Sequence, residues 1–138
     1  MGIDINLNAL AKEIHENAVD KGWWDGVVSF TEQMMMVVTE AAEAIEEYRH
    51  GKPDMYYKQR IDGIGEITRH VSPTATTGLG DTKFPDGVKP EGVTIEVADC
   101  IIRLLDICAG RGMDIDMAMK AKMAYNRTRD YRHGGKLC

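Results

Sequence analysis

Apolar positions recur with the 3.6-residue period of a helix in four stretches of the chain. The first runs from about Asn6 to Lys21, where Leu7, Leu10, Ala11, Ile14, Ala18 and Val19 share one face and Gly22 supplies the stop. The second opens at Ser29-Phe30-Thr31-Glu32, the Ser-x-x-Glu of a capping box, and continues to about Arg49, before His50-Gly51. The third starts near Pro90-Glu91 and ends at Gly110. The fourth starts around Asp114 or Asp116 and runs to about His133, with Gly134-Gly135 closing it. Between the second and third, Lys52 to Gly92 keeps no such period and holds all four prolines. It reads as a long irregular insert with a short hairpin around "GIGEITRHV". Structureless loops beyond ~15 residues are uncommon in compact domains and are usually functional or disordered. The pattern predicts an all-α, four-helix-bundle-like fold, one domain over residues 1–138, with a loop-rich excursion at 52–92.

The third stretch departs from an ordinary amphipathic helix. "EVADCIIRLLDICAG" is apolar almost all the way round, and its charged residues are Glu96, Asp99, Arg103 and Asp106. At ~100° per residue these four fall within an arc of roughly 80°. The second helix carries a similar stripe, with Glu40, Glu43 and Glu47 at i, i+3 and i+7 among small and apolar neighbours. Each helix thus presents a carboxylate pair at i, i+3, with Cβ atoms ~5–6 Å apart. Facing one another, four carboxylates would repel and need a counter-charge, and hard oxygen donors of this kind suit Mg²⁺ or Mn²⁺. Taken singly, Glu40 and Glu43 read equally as a solvated helix face. Glu96 and Asp99 do so less readily, because little of their helix is free to meet water.

Composition narrows the class without naming an activity. A net charge of −5 over 138 residues offers nothing overall to nucleic acid or an anionic membrane. No apolar run reaches the ~18 residues of a membrane span, and the first residues lack the basic start and apolar stretch of a signal peptide. Three cysteines are an odd number, and Cys100 and Cys108 lie about two turns apart on one helix, too far for a disulfide. A reducing, cytoplasmic setting is expected.

The order Glu40-x-x-Glu43, then Glu96-x-x-Asp99, resembles the signature of the all-α nucleoside triphosphate pyrophosphohydrolases, the MazG-like family. "KGWWD", "EAIEEYRHGKP", "KPEGVTIEVADCIIRLLD" and "KMAYNRTRDYRHGGK" are also similar to segments of small MazG-like proteins, so the resemblance covers most of the chain outside the insert. It implies a MazG-type helical core and a Mg²⁺-dependent cut between the α and β phosphates, yielding a nucleoside monophosphate and pyrophosphate. It implies Glu40, Glu43, Glu96 and Asp99 as metal ligands. One glutamate of the first pair, with Glu43 favoured, would orient or deprotonate the attacking water. Two departures stand out: Thr39 occupies a place where the family often has a third acid, and the gap from Glu43 to Glu96 is long.

The same resemblance extends to substrate contacts. His15 and Trp24 match nucleobase-contacting positions of deoxycytidine-triphosphate-cleaving relatives, where a ring can stack on a base and an imidazole can bond its edge. Read without it, Trp23 or Trp24 seals a corner between helices and His15 is a boundary residue. Lys122, Asn126 and Arg129 share one face of the fourth helix with His133, and the family pattern places a Lys, an Asn and an Arg near the phosphates. The alternative there is a complement to the helix macrodipole; that, or a contact with a partner subunit, is the preferred reading for Arg127, Arg132 and Lys136. Met34-Met35-Met36 point around their helix, so at least one is exposed or lies in a subunit contact. The family commonly assembles as dimers or tetramers, and a homo-oligomer is expected. A di-iron carboxylate bundle is disfavoured because neither acidic pair ends in His. A non-catalytic, nucleotide-binding or regulatory helical protein is the alternative from another class.

Overall fold

In the computed structural model, residues 4–61, 65–69 and 87–131 are described. They form four helices, α1 (Leu7–Asp20), α2 (Phe30–Arg49), α3 (Val93–Gly110) and α4 (Ile115–Thr128), and three strands between α2 and α3: β1 (Tyr56–Ile61), β2 (Gly65–Arg69) and β3 (Val88–Glu91). The chain is mostly helical, and it divides into two compact units. One holds α1, α4 and α3 from Ile102 onward; the other, Thr31–Ile101, holds α2 beyond Phe30, the strands and the first half of α3.

In the first unit the N-termini of α1 and α4 cap each other. The Asp116 carboxylate accepts from Leu7 N at 2.7 Å and Asn8 N at 3.2 Å. The Asn8 side chain in turn donates to Asp114 at 2.9 Å and accepts from Ile115 N at 3.0 Å. Asp114 also accepts from Met117 N, and these bonds hold its carboxyl below the ordinary range. Free amides that each helix leaves at its start are thereby met by the other helix. Ala11 and Ala18, one heptad apart, are the buried positions of α1. The helix ends in a Schellman turn: Gly22, at φ 83°, donates to Val19 O and Trp23 donates to Ala18 O. A second such turn closes α3, with Gly112 donating to Ala109 O and Met113 to Cys108 O. Leu105, Ile107 and Cys108 are the buried apolar residues of this half of α3.

The second unit corrects the expected irregular insert. It contains a three-stranded antiparallel sheet in the order β2-β1-β3. The hairpin expected near "GIGEITRHV" is there, its strands β1 and β2 pairing Ile61 with Gly65, while the stretch "SPTATTGLGDTKFPDG" lies outside the described residues. Pro90-Glu91, expected to open the third helix, instead lie in β3, where Pro90 faces Tyr57 on an edge strand that tolerates its missing N–H. Gly92 then turns strand into helix at φ 118°, and a Cβ there would strike the Asp54 carbonyl. That carbonyl accepts from Thr94 N at 2.9 Å, fastening the sheet's approach to the first turn of α3. Tyr56 and Tyr57 are buried beneath this junction.

The fourth helix is shorter than its periodicity implies. The Thr128 hydroxyl donates to Tyr125 O at 2.7 Å and Arg129 is extended, so the helix stops there; His133 and the rest of the expected helix lie outside the described residues.

Candidate metal centre

The carboxylates of Glu40 and Glu43 on α2 and Glu96 on α3 converge, each offering an oxygen within 4.8 Å of the others. That spacing is about twice a calcium–oxygen bond of ~2.4 Å and needs only a small closure around Mg²⁺ at ~2.1 Å. Glu40 and Glu96 are buried, whereas Glu43 is exposed. Glu96 is 7% exposed, and its Oε2 has no hydrogen-bond partner. Burial pushes the Glu96 carboxyl up to about 7, helped by a hydrogen bond with Glu43 and by the charges of Glu43, Asp99 and Glu40. A buried carboxylate oxygen without a donor is costly to leave bare. Clustered carboxylate oxygens are what a hard divalent cation requires, so the residues fit such an ion.

Asp99 lies outside the converging triad, though its charge is felt at Glu96, Cys100 and Lys89. Thr39, at the place of the family's extra acid, bonds back to its own helix, its hydroxyl donating to Met35 O at 3.1 Å. Cys100 donates to Val37 O at 3.8 Å, and its thiol is raised, first by burial and then by Glu40, Asp99 and Glu96.

Two acidic residues join this neighbourhood that were not read as ligands from the sequence. Glu47 and Glu91 bring oxygens within the same 4.8 Å of Glu96, forming a second triad. Glu47 belongs to the acidic stripe already visible on α2, so its spacing was a signal. Glu91 was hidden by its assignment to a helix start. Both have donors: the buried Tyr56 hydroxyl donates to both oxygens of Glu47 at 3.0 Å, and Lys89 Nζ sits 2.9 Å from Glu91. Burial first, then the bond to Glu47 and the surrounding carboxylates, push Tyr56 up to about 12.

In the other unit, His15 and Trp24 meet on Asp106. His15 Nδ1 lies 2.8 Å from Asp106 Oδ1, and the Trp24 indole N–H donates to both carboxylate oxygens at 3.0 and 3.1 Å. The two rings stand edge to face, 4.8 Å apart. Gly110 lies against them, and a Cβ there would overlap Trp24 and crowd His15. Asp106, one of the four stripe charges on α3, is the residue that sequence reading did not assign to a site. Lys122 on α4 and Arg129 just past its end both lie over the Tyr125 ring, at 4.9 and 5.7 Å, and Asn126 is exposed.

The chain matches no family model, no curated protein and no solved structure. Among the described residues, no helix is long and apolar enough to cross a membrane.

Proposed function

We propose that the chain is a Mg²⁺-dependent nucleoside triphosphate pyrophosphohydrolase of MazG-like type, its four helices corresponding to that family's core. Water and a (deoxy)nucleoside triphosphate give a nucleoside monophosphate and pyrophosphate, with the bond between the α and β phosphates broken. The observation that carries this reading is the Glu40–Glu43–Glu96 triad with the bare, buried Oε2 of Glu96. These residues would hold the ion, with Asp99 lending charge from nearby. When bound, Mg²⁺ supplies neutralisation of the triphosphate and a lowered pKa for bound water. Mn²⁺ suits the same donors. Glu43, the exposed member of the triad, would accept the proton of an attacking water, while buried Glu40 and Glu96 would anchor the ion.

The remaining contacts belong to the same proposal. Asp106 orients His15 and Trp24, so their rings would meet a base as a rigid pair. Lys122, Asn126 and Arg129 would face the phosphates, each exposed on or just beyond α4. Assembly as a homo-oligomer is supported by two exposed seams with coiled-coil spacing, Met35, Val38, Ala42 and Ile45 on α2 and Val97, Ile101 and Leu104 on α3. A cytoplasmic location and the absence of nucleic-acid or membrane partners accompany this reading.

The test is a product assay with Mg²⁺ across canonical and modified (deoxy)nucleoside triphosphates. Monophosphate plus pyrophosphate, lost in Glu43→Gln and in Asp99→Asn, is the expected result. Diphosphate plus phosphate would mean a different hydrolase, and nucleotide binding without turnover would leave a binding protein.

A further inference from the structure

We infer that Asp106 fixes the His15 imidazole as a hydrogen-bond acceptor, so that the site selects nucleobases with an amino group at position 4 of a pyrimidine or 6 of a purine. The selection rests on the proposed reading of His15 and Trp24 as base contacts, and the geometry adds the polarity of that contact. His15 comes from α1, Trp24 from the turn after it and Asp106 from α3. His15 Nδ1 lies 2.8 Å from Asp106 Oδ1, while the Trp24 indole N–H donates to both oxygens of the same carboxylate. A carboxylate has lone pairs and no proton to give, so the hydrogen of the His15–Asp106 bond belongs to Nδ1. In the neutral ring Nε2 then carries the free lone pair. Among the described residues nothing bonds to Nε2, and the His15 side chain is 25% exposed.

Packing keeps that polarity in place. The Trp24 ring stands edge to face with His15, and Gly110 lies directly against both rings. Turning the imidazole over would set Cδ2 in place of Nδ1 against Asp106 and forfeit their bond. An outward acceptor needs a donor from its ligand. Cytosine and adenine offer an exocyclic amine, N4 or N6, where uracil and hypoxanthine carry an oxygen. An oxygen facing Nε2 sets two acceptors together with no proton between them, which leaves both unpaired. Stacking on Trp24 is available to every base. Discrimination between amino and oxo bases therefore falls on His15, and Asp106 is the positioning residue that sets its sign.

The test has two readouts on the full chain. With ¹⁵N-labelled histidine at mildly alkaline pH, long-range ¹H–¹⁵N NMR spectra report which ring nitrogen holds the proton, and His15→Gln identifies the His15 signals. Calorimetry with Mg²⁺ measures binding of the α,β-methylene analogues of CTP and UTP, and of ATP and ITP, beside the product assay. A proton on Nδ1 is expected, with roughly tenfold to a hundredfold tighter binding of the amino member of each pair. Asp106→Asn keeps an oxygen for Trp24 but turns an N–H₂ towards Nδ1. The imidazole proton should then move to Nε2 and the preference should reverse towards the UTP and ITP analogues. A proton on Nε2 in the wild type, equal affinities within the pairs, an unchanged preference in Asp106→Asn, or no binding of any analogue overturns the inference. If pyrophosphate is released without the preference, only this inference fails. The preference without hydrolysis would keep it and overturn the hydrolase reading.

Discussion

Two carboxylates on α3, ten residues apart, have opposite fates. Asp106 is saturated: an imidazole and an indole bond to it, and edge-to-face packing locks the pair. Glu96 is buried, one of its oxygens has no partner, and the charges that raise its carboxyl are those of other acids. Both arose from one narrow stripe, so spacing alone could not tell them apart. The donors around each carboxylate do. A carboxylate met by protein donors is satisfied once the chain folds, whereas one with an oxygen left bare is the better candidate for a ligand.

The largest effect should come from the unsatisfied side. Glu43→Gln removes the proposed base, and loss of a positioned base lowers turnover by about 10²–10⁴-fold. Steady-state pyrophosphate release, with the melting temperature as a control for folding, measures it. On the satisfied side, Asp106→Ala should cost about 2–3 kcal/mol, because two donors are left partly buried without an acceptor. Denaturant unfolding should show the same loss with and without Mg²⁺. A loss that Mg²⁺ repairs would mean the two carboxylates are not as different as their surroundings say.

Titration sharpens the contrast further. Between the ordinary carboxyl value of 4.5 and about 7, folded Glu96 holds a proton that the unfolded chain has released. Its contribution to metal-free stability is therefore complete below the lower value, declines as pH rises through the window and is gone above the upper one. Glu96→Gln should remove this decline and leave the metal-free protein the more stable of the two at pH 8, while reducing the Mg²⁺-induced rise in melting temperature. A difference between the two pH–stability curves that is flat across the window would show that Glu96 titrates normally.

What the sequence made legible follows from which signals are local. The periodicity of Leu7 to Val19 and the stops at Gly22 and Gly51 locate α1 and α2 to within a residue or two. The acidic spacing on α2 and α3 anticipates the meeting of Glu40, Glu43 and Glu96. Three features depended on distant partners and were not visible. Pro90 and Glu91 read as a helix start because their strand exists only against β1. The mutual capping by Asn8 and Asp116 links residues more than 100 positions apart. Asp106 carries no mark of its role until α1 and the turn after it deliver His15 and Trp24.

The smallest effect is also the most discriminating, because it converts a satisfied carboxylate into a bare one. Tyr56 is fully buried, and its hydroxyl is the donor that both Glu47 oxygens share. Tyr56→Phe keeps the ring and its packing but strips that donor, which should cost about 1–2 kcal/mol in the absence of divalent ions. If a missing donor is what suits a carboxylate to an ion, Glu47 stripped of its hydroxyl partner becomes a ligand, so millimolar Mn²⁺ should recover part of the loss in Tyr56→Phe beyond what it gives the wild type. Paired thermal melts with and without Mn²⁺ measure this directly. An equal Mn²⁺ increment in both proteins would place Glu47 with Asp106, as a carboxylate whose only business is the fold.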